Sequence, residues 1–339
     1  MNEVKTTAEL LPSRKDENYR YTQIAIDVTD SKDWDSEKLA HTLKSESTFT
    51  PWSNDYYLKA LEGVANLNIT APKSEEWIFL HSQGEASKIR GSAELIVPKG
   101  KHYKVFEFLE QSAEKSLFMR NVKVAEGASV EYFFLQKQNL SNTFVARHFF
   151  DLAEGAKATF RFYHAGAKKG QHRIASRVEK NASFTLEGAN RLRNAQHVDI
   201  WAESEHVGAT SLSNTTVWNV LTDESVAVFN GMIRILKDCP QTLAYQSNKT
   251  LMLSEKARIY TLPKLEISTD DVKCSHGASV SSLDESQLFY LQSRGIDKES
   301  GEKMLVEAFT QPVLQHLPKH LISEALQKEL HVLEEQNAF

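Results

Sequence analysis

The sequence predicts a mainly-β chain: a long β-solenoid, or β-helix, with α-helical segments at both ends. Three observations carry that prediction. Five segments repeat around a turn position, at Gly100, Gly127, Gly155, Asn181 and Gly208, with spacings of 27, 28, 26 and 27 residues. Period-two alternation follows the turns, as in Ser129-Val-Glu-Tyr-Phe-Phe-Leu and Ala158-Thr-Phe-Arg-Phe-Tyr-His, the signature of half-buried strands. The last sixty or so residues switch to helical periodicity.

Each element has its own local reason. Gly or Asn at the turn suits a left-handed or tight backbone, where a bulky Cβ is unfavourable. An aliphatic residue stands three before the turn in four of the five segments (Val97, Val124, Leu152, Val178). A strand unit recurring at this interval fits coils that bury their faces on one another; a sandwich of hairpins stays open as the alternative. Further strand-like units begin at Val226, Thr242 and Arg258, only about 16 residues apart, a shortening that a single repeating strand does not explain. Residues 1–66 form an N-terminal segment with helical patterns at Asp35–Leu43 and Tyr56–Val64, and 67–280 form the β-core. In 281–339, Ser282-Leu-Asp-Glu285 reads as a capping box ahead of Leu288, Phe289 and Leu291, with Gly295 as a stop. Asp297 caps a second helix carrying Met304, Leu305, Ala308 and Phe309. Pro312 and Pro318 punctuate, and a third helix holds Leu321, Ile322, Ala325, Leu326, Leu330 and Leu333.

Composition narrows the function. The 339 residues are 41% hydrophobic and 25% charged, with a formal charge of −5, so a core of ordinary size is available and a basic nucleic-acid-binding face is not indicated. No stretch is apolar enough to span a membrane and the N-terminus lacks a secretory h-region, which makes the cytoplasm the expected compartment. Only Cys239 and Cys274 are present, too few for a disulfide scaffold or for a cysteine-ligated zinc or iron–sulfur site within one chain.

No Walker, dinucleotide, HExxH or CxxC motif occurs. Gly277-Ala-Ser279-Val-Ser281 lacks the second glycine of a nucleophile elbow and reads as a turn serine. The Asn-x-Ser/Thr triplets at Asn68, Asn139, Asn181, Asn214 and Asn248 read as ordinary strand and turn residues. Asp270-Asp271 would point to opposite faces of a strand, whereas glycosidase chemistry needs two convergent carboxylates. Asp270-Asp271 therefore reads as a solvated turn; a β-helix carbohydrate-active enzyme stays as one alternative and a structural homodimer as another. Cys274-Ser275-His276 is sharper. On a strand, Val272, Cys274 and His276 share one face, and a thiolate beside an imidazole is half a site for a soft or borderline metal. A structural pair, a covered Cys beside a hydrogen-bonding His, is the other reading. Cys239, before Pro240, reads as a turn residue.

The stretch Pro263-Lys-Leu-Glu-Ile-Ser-Thr-Asp-Asp-Val-Lys-Cys-Ser-His-Gly-Ala-Ser279, with Leu283-Asp-Glu and Leu288-Phe-Tyr-Leu-Gln-Ser-Arg-Gly-Ile296, closely resembles the SufB/SufD family. Gln246-Ser-Asn248 and Leu251-Met-Leu-Ser254 resemble the family's last coils. Pro12-Ser-Arg-Lys-Asp-Glu-Asn-Tyr-Arg-Tyr-Thr22 resembles the N-terminal motif of its SufD side, with Tyr19 where Trp is usual. For that side the chain is short, and the difference is expected in the N-terminal region. The resemblance implies a right-handed parallel β-helix and a non-catalytic scaffold for iron–sulfur cluster assembly. It implies partners too: a SufB-like scaffold and a SufC-like ABC-type ATPase, with self-pairing when alone. Cys274 and His276 would lie at the SufB–SufD interface, where a transient iron or nascent cluster is shared and no cofactor is stably held. Residues 284–309 would bind the ATPase, with Leu288, Phe289, Leu291, Arg294, Met304 and Phe309 as contact candidates.

Overall fold

The computed structural model describes residues 35–36, 42–48, 65–69, 77–82, 88–110 and 114–330. Within them the strands are β1 (Asp35–Ser36), β2 (Thr42–Thr48), β3 (Ala65–Ile69), β4 (Ile78–Ser82), β5 (Lys88–Val97), β6 (His102–Leu109), β7 (Lys115–Val124), β8 (Ser129–Gln136) and β9 (Thr143–Leu152). They continue as β10 (Lys157–His164), β11 (Lys169–Val178), β12 (Ser183–Leu192), β13 (His197–His206), β14 (Leu212–Leu221), β15 (Val226–Ile235), β16 (Thr242–Met252), β17 (Arg258–Ile267) and β18 (Val272–Ser281). Helices α1 (Glu285–Ser293), α2 (Lys298–Leu314) and α3 (Glu324–Glu329) follow.

From β3 onward, successive strands alternate between two sheets. Odd strands stack in the order β17-β15-β13-β11-β9-β7-β5-β3, with β2 added beyond β3, and even strands in the order β18-β16-β14-β12-β10-β8-β6-β4. All pairings from β3 onward are parallel and in register (Lys88 on Lys115, Lys115 on Thr143, Thr143 on Lys169). This is the expected parallel solenoid, each coil made of one odd and one even strand.

That arrangement explains the apparent shortening of the repeat. Val226, Thr242 and Arg258 open consecutive strands on alternate sheets, so 16 residues is a half-coil. Full coils lengthen here: Val226 pairs with Arg258 and Thr242 with Val272. The sequence pattern predicts one strand for each repeat, and the fold uses two.

Side chains stack at each register position. Val97, Val124, Leu152 and Val178 form an aliphatic column beneath the turns. His206 takes the next position, fully buried, its Nδ1 and Nε2 each 2.8 Å from Ser211 Oγ and Ser213 Oγ. The turn glycines Gly100, Gly127 and Gly155 and Asn181 have φ between 58° and 68°, as expected. Gly208 does not belong to the series: Thr210 adopts the left-handed φ of 54°, and a Cβ on Gly208 would strike the Lys180 backbone. Gly208 is small because the previous coil lies against it. A β-branched residue is strained at Thr210, so Thr210→Asn, the choice made at Asn181, is expected to raise stability by about 1 kcal/mol. Urea unfolding checks this, and a lower midpoint would contradict it.

The helical pattern at Asp35–Leu43 is corrected in part. Asp35–Ser36 pairs with β5, and β2 runs antiparallel to β3, so strand pairing prevails over a weak local preference. Tyr56–Val64 lies outside the described residues, as do Pro12–Thr22 and Leu333. At the other end Asp284, not Ser282, caps α1, accepting from Ser286 N at 2.9 Å. Asp297 caps α2 and Gly295 ends α1 with φ 89°. Pro312 does not end α2, which continues to Leu314; a proline inside a helix removes one backbone donor, and burial of Val313 and Leu314 against the even sheet outweighs that loss. Between Pro318 and α3 the chain forms only a 3-10 turn, Lys319–Leu321. The helices pack through Val313, Leu314, Leu317, Leu326 and Leu330 on Phe106, Phe133, Tyr163 and Trp218.

The solenoid lumen is mostly apolar, but a polar column runs through it. Glu107 accepts from Arg120 (2.7 and 2.8 Å) and from Tyr132 (2.6 Å), and His148 Nε2 lies 2.9 Å from it. His148, His172 and His164 follow in contact, then Asn190, Asn219, Asn248 and Thr261. Burial would raise the Glu107 pKa, yet Arg120, His148 and Tyr132 outweigh it and hold the carboxyl at about 2. Burial lowers His164 to about 3 and His206 to about 4. Each folded-state value lies below its ordinary one, so stability is full above the ordinary value and is lost as pH falls toward the folded one. For the histidines that window opens near 6.5 and reaches down to about 3; for Glu107 it runs from 4.5 to about 2. The urea midpoint is expected to fall steadily below pH 6.5, and His164→Gln to flatten the upper part of that slope. A wild-type midpoint flat from pH 6.5 to 4.5 would contradict it.

Candidate functional site

The solenoid stops abruptly. β18 hydrogen-bonds to β16 and β17 to β15, and in the sheet order both are terminal strands. Among the described residues nothing stacks on their outer edges. The backbone N–H and C=O groups there form a row ready to pair with another chain. Lumen-facing side chains buried in every earlier coil are here partly uncovered: Ile259, Leu265 and Val272 are half-buried, and Ile267 and Val280 are 43% and 56% exposed.

Cys274 and His276 belong to this open coil. In the β16–β18 ladder, Ala244 pairs with Cys274 and Gln246 with His276. Residues paired in a parallel sheet project to the same side, and Ala244 and Gln246 are buried in the lumen. The shared face read from the sequence is therefore the lumen face, presented at the open end. Cys274 packs with Leu265 and Val272 against Ile233, Ile235, Cys239 and Ala244, and burial pushes its thiol pKa up against a weaker, lowering contribution from the Ala244 backbone. It is a protonated thiol that releases a proton if it binds a soft metal. His276 is exposed. Among the described residues no three His, Cys, Asp or Glu side chains converge as a metal site, so the described part of the open coil presents two donors and no closed ligand set.

The other sequence candidates fall elsewhere. Cys239 is sealed, its Sγ 3.5 Å from the His206 and Lys237 carbonyls. Ser279 lies within the exposed strand β18, not on a strand-to-helix elbow. Asp270 and Asp271 occupy the bend between β17 and β18, where the Asp271 carbonyl accepts from Gln241 N. Asn248 is a buried member of the lumen column.

Directly after β18 the chain enters α1, which buries none of its residues. A cleft of about 720 Å³ lined by Arg191, Val220, Met252, Leu288 and Lys298 separates the helices from the solenoid there. Leu288 and Leu291 face Gly301 of α2; Phe309 packs partly buried against the solenoid. Phe289 and Met304 are 73% and 45% exposed. Arg294 is exposed, its guanidinium 5.2 Å from the ring centre of Tyr290. Tyr290, 57% exposed, is a further exposed aromatic residue of α1 that sequence reasoning missed, although it directly follows Phe289. No described helix is long and apolar enough to cross a membrane.

Comparison with known proteins gives this geometry a lineage. Residues 81–309 match the model of the SUF system FeS cluster assembly SufBD core domain. The chain is 28% identical over 240 residues to Protein ABCI7, chloroplastic, from Arabidopsis thaliana, covering 68% of this chain and 50% of that one. To the iron–sulfur cluster assembly protein SufD of Escherichia coli it is 29% identical over 197 residues, 58% of this chain and 47% of that one. To SufD of Bacillus subtilis it is 38% identical over 126 residues, 37% and 29% respectively. The chain thus spans half or less of these relatives' lengths. The matched core covers most of the solenoid, the open coil and most of the two helices after it, and the chain belongs to the SufBD family of iron–sulfur cluster assembly proteins.

Proposed function

We propose that this chain is a non-catalytic scaffold, of the SufD kind, whose open coil pairs with a second, SufB-like scaffold and contributes Cys274 and His276 to a shared site for transient iron or a nascent cluster. The observation that carries this reading is the coincidence, on one terminal strand, of a free outer backbone edge with a thiol and an imidazole facing the lumen. Edge pairing supplies main-chain hydrogen bonds, and half-covered side chains supply specificity. A partner completing the coil would cover Ile267 and Val280 and bring the further ligands that two donors require. Iron here is cargo passed through the site. The surroundings are the cytoplasm, with neither nucleic acid nor membrane as a partner.

The exposed surface of Phe289, Tyr290 and Met304, with Arg294 beside it, supports a second contact, with a SufC-like ABC ATPase. A nucleotide-driven movement of the ATPase would pull on α1, which joins β18 through only a short connection, and shift the open coil as a unit. Co-expression with the SufB-like and SufC-like subunits of the same system tests this. The three are expected to co-purify, and Phe289→Ala with Tyr290→Ala to lower ATPase retention by about tenfold or more, as loss of central aromatic anchors does, while the scaffold pair persists. Unchanged retention in the double variant would remove the helices from the contact.

A further inference from the structure

The lumen column is one continuous hydrogen-bonded chain, and its proton count is informative. The Glu107 carboxylate lies 2.9 Å from His148 Nε2; His148 Nδ1 lies 2.8 Å from His172 Nε2; His172 Nδ1 lies 3.1 Å from His164 Nε2; and His164 Nδ1 lies 2.8 Å from Asn190 Oδ1. Beyond that point the amides share one sense. Asn190 Nδ2 donates to Asn219 Oδ1, Asn219 Nδ2 to Asn248 Oδ1, and Asn248 Nδ2 to Thr261 Oγ1, at 2.7, 2.7 and 2.8 Å.

Three imidazoles thus stand between two acceptors, a carboxylate and an amide oxygen. Four contacts need four protons, whereas three neutral rings carry three. With the amides in this sense the triad is complete only when it holds one additional proton, shared along the rings and balanced by Glu107. Without that proton, all contacts can still be made if the amides reverse. Asn190 Nδ2 then donates to His164, Asn219 to Asn190, Asn248 to Asn219, and the Thr261 hydroxyl donates to Asn248. The first sense has an anchor in the Lys249 carbonyl, 3.4 Å from Asn219 Nδ2. The alternative has one in the Thr250 hydroxyl, which can donate to the reversed Asn219 oxygen, its Oγ1 lying 3.3 Å from the present nitrogen.

We infer that this column is a one-proton switch. Uptake of a single proton by His148, His172 and His164 sets the sense of the Asn190–Asn219–Asn248 ladder, and the ladder carries that sense along the lumen to Thr261 in the last, open coil. The charged and titratable groups facing the rings in the lumen are Glu107 on β6, Arg120 on β7 and Tyr132 on β8; Arg147 on β9 lies on the opposite face of its strand, bonded to Gln171, and acts on His172 through its charge. Glu107 favours the proton; Arg120, Arg147 and burial oppose it, which puts the transition below the ordinary histidine value. The rings are fully buried and in contact with one another, so they respond as a unit. The inference concerns the isolated chain and does not depend on the partner reading.

Nitrogen NMR of the full chain, labelled selectively at His and at Asn, tests it through a pH titration. The expected result is one common midpoint for the ring nitrogens of His148, His164 and His172, with the side-chain amides of Asn190 and Asn219 shifting at the same midpoint. Asn219→Leu is expected to leave the ring transition in place and silence the response of Asn248. Separate midpoints for the three rings, amides unmoved through the ring transition, or no ring transition before unfolding would each overturn the switch.

Discussion

Glu107→Ala is expected to destabilise the chain by about 3–5 kcal/mol, the cost of leaving a buried charge without its partner. The carboxylate is fully enclosed and serves Arg120, Tyr132 and His148 together. Its removal takes the carboxylate from the Arg120 guanidinium, itself 1% exposed, which keeps its bond to the Met119 carbonyl, and frees one end of the histidine column. Glu107→Gln keeps the shape and part of the hydrogen bonding, so it should lose less. Replacing the pair together, as Glu107→Leu with Arg120→Met, should recover much of the loss, because a buried ion pair contributes little net stability over apolar residues of similar volume. Urea midpoints of the four proteins check the series. A single Glu107→Ala as mild as a surface substitution would contradict the enclosed geometry.

The second large effect is functional. Cys274→Ala and His276→Ala, each alone, are expected to lower cluster assembly in vivo by at least about tenfold, since even outer groups around a metal typically contribute that much. The folded chain should hardly notice. Cys274 is half-buried at an open end and His276 is exposed, so both variants should unfold within about 0.5 kcal/mol of the wild type, as surface substitutions do. The contrast is with Glu107→Ala: Glu107 holds the solenoid together, whereas Cys274 and His276 act at its open end. Normal assembly in both single variants, with complexes intact, would remove the half-site.

Much of the architecture was legible because the solenoid repeats its local physics. Gly100, Gly127, Gly155 and Asn181 mark left-handed turns, and Val97, Val124, Leu152 and Val178 mark the column beneath them. The second strand of each coil was harder to read, because it lies between turns with no shared residue type. Gly208 misled because a close backbone approach and a left-handed turn both select glycine. The polar column escaped notice for a different reason. An inward Asn and an outward Asn look alike in a period-two pattern, and Asn190, Asn219 and Asn248 recur at 29 residues, a spacing hidden when the repeat is taken as 27. The pairing of Cys274 with His276 on one face followed from alternation alone. That this face is the lumen, and that the coil bearing it is open, required the register onto Ala244 and Gln246.

The central claim is that the β17–β18 edge is where a partner scaffold joins. Hydrogen exchange of the backbone amides of Val272–Ser281, in the chain alone and in complex with a SufB-like subunit, tests it most directly. The account predicts fast exchange of the outward-facing amides of β18 in the lone monomer and strong protection in the complex, with the amides of Phe289 and Tyr290 unchanged until the ATPase is added. A stable complex in which β18 exchanges as fast as in the monomer would contradict it.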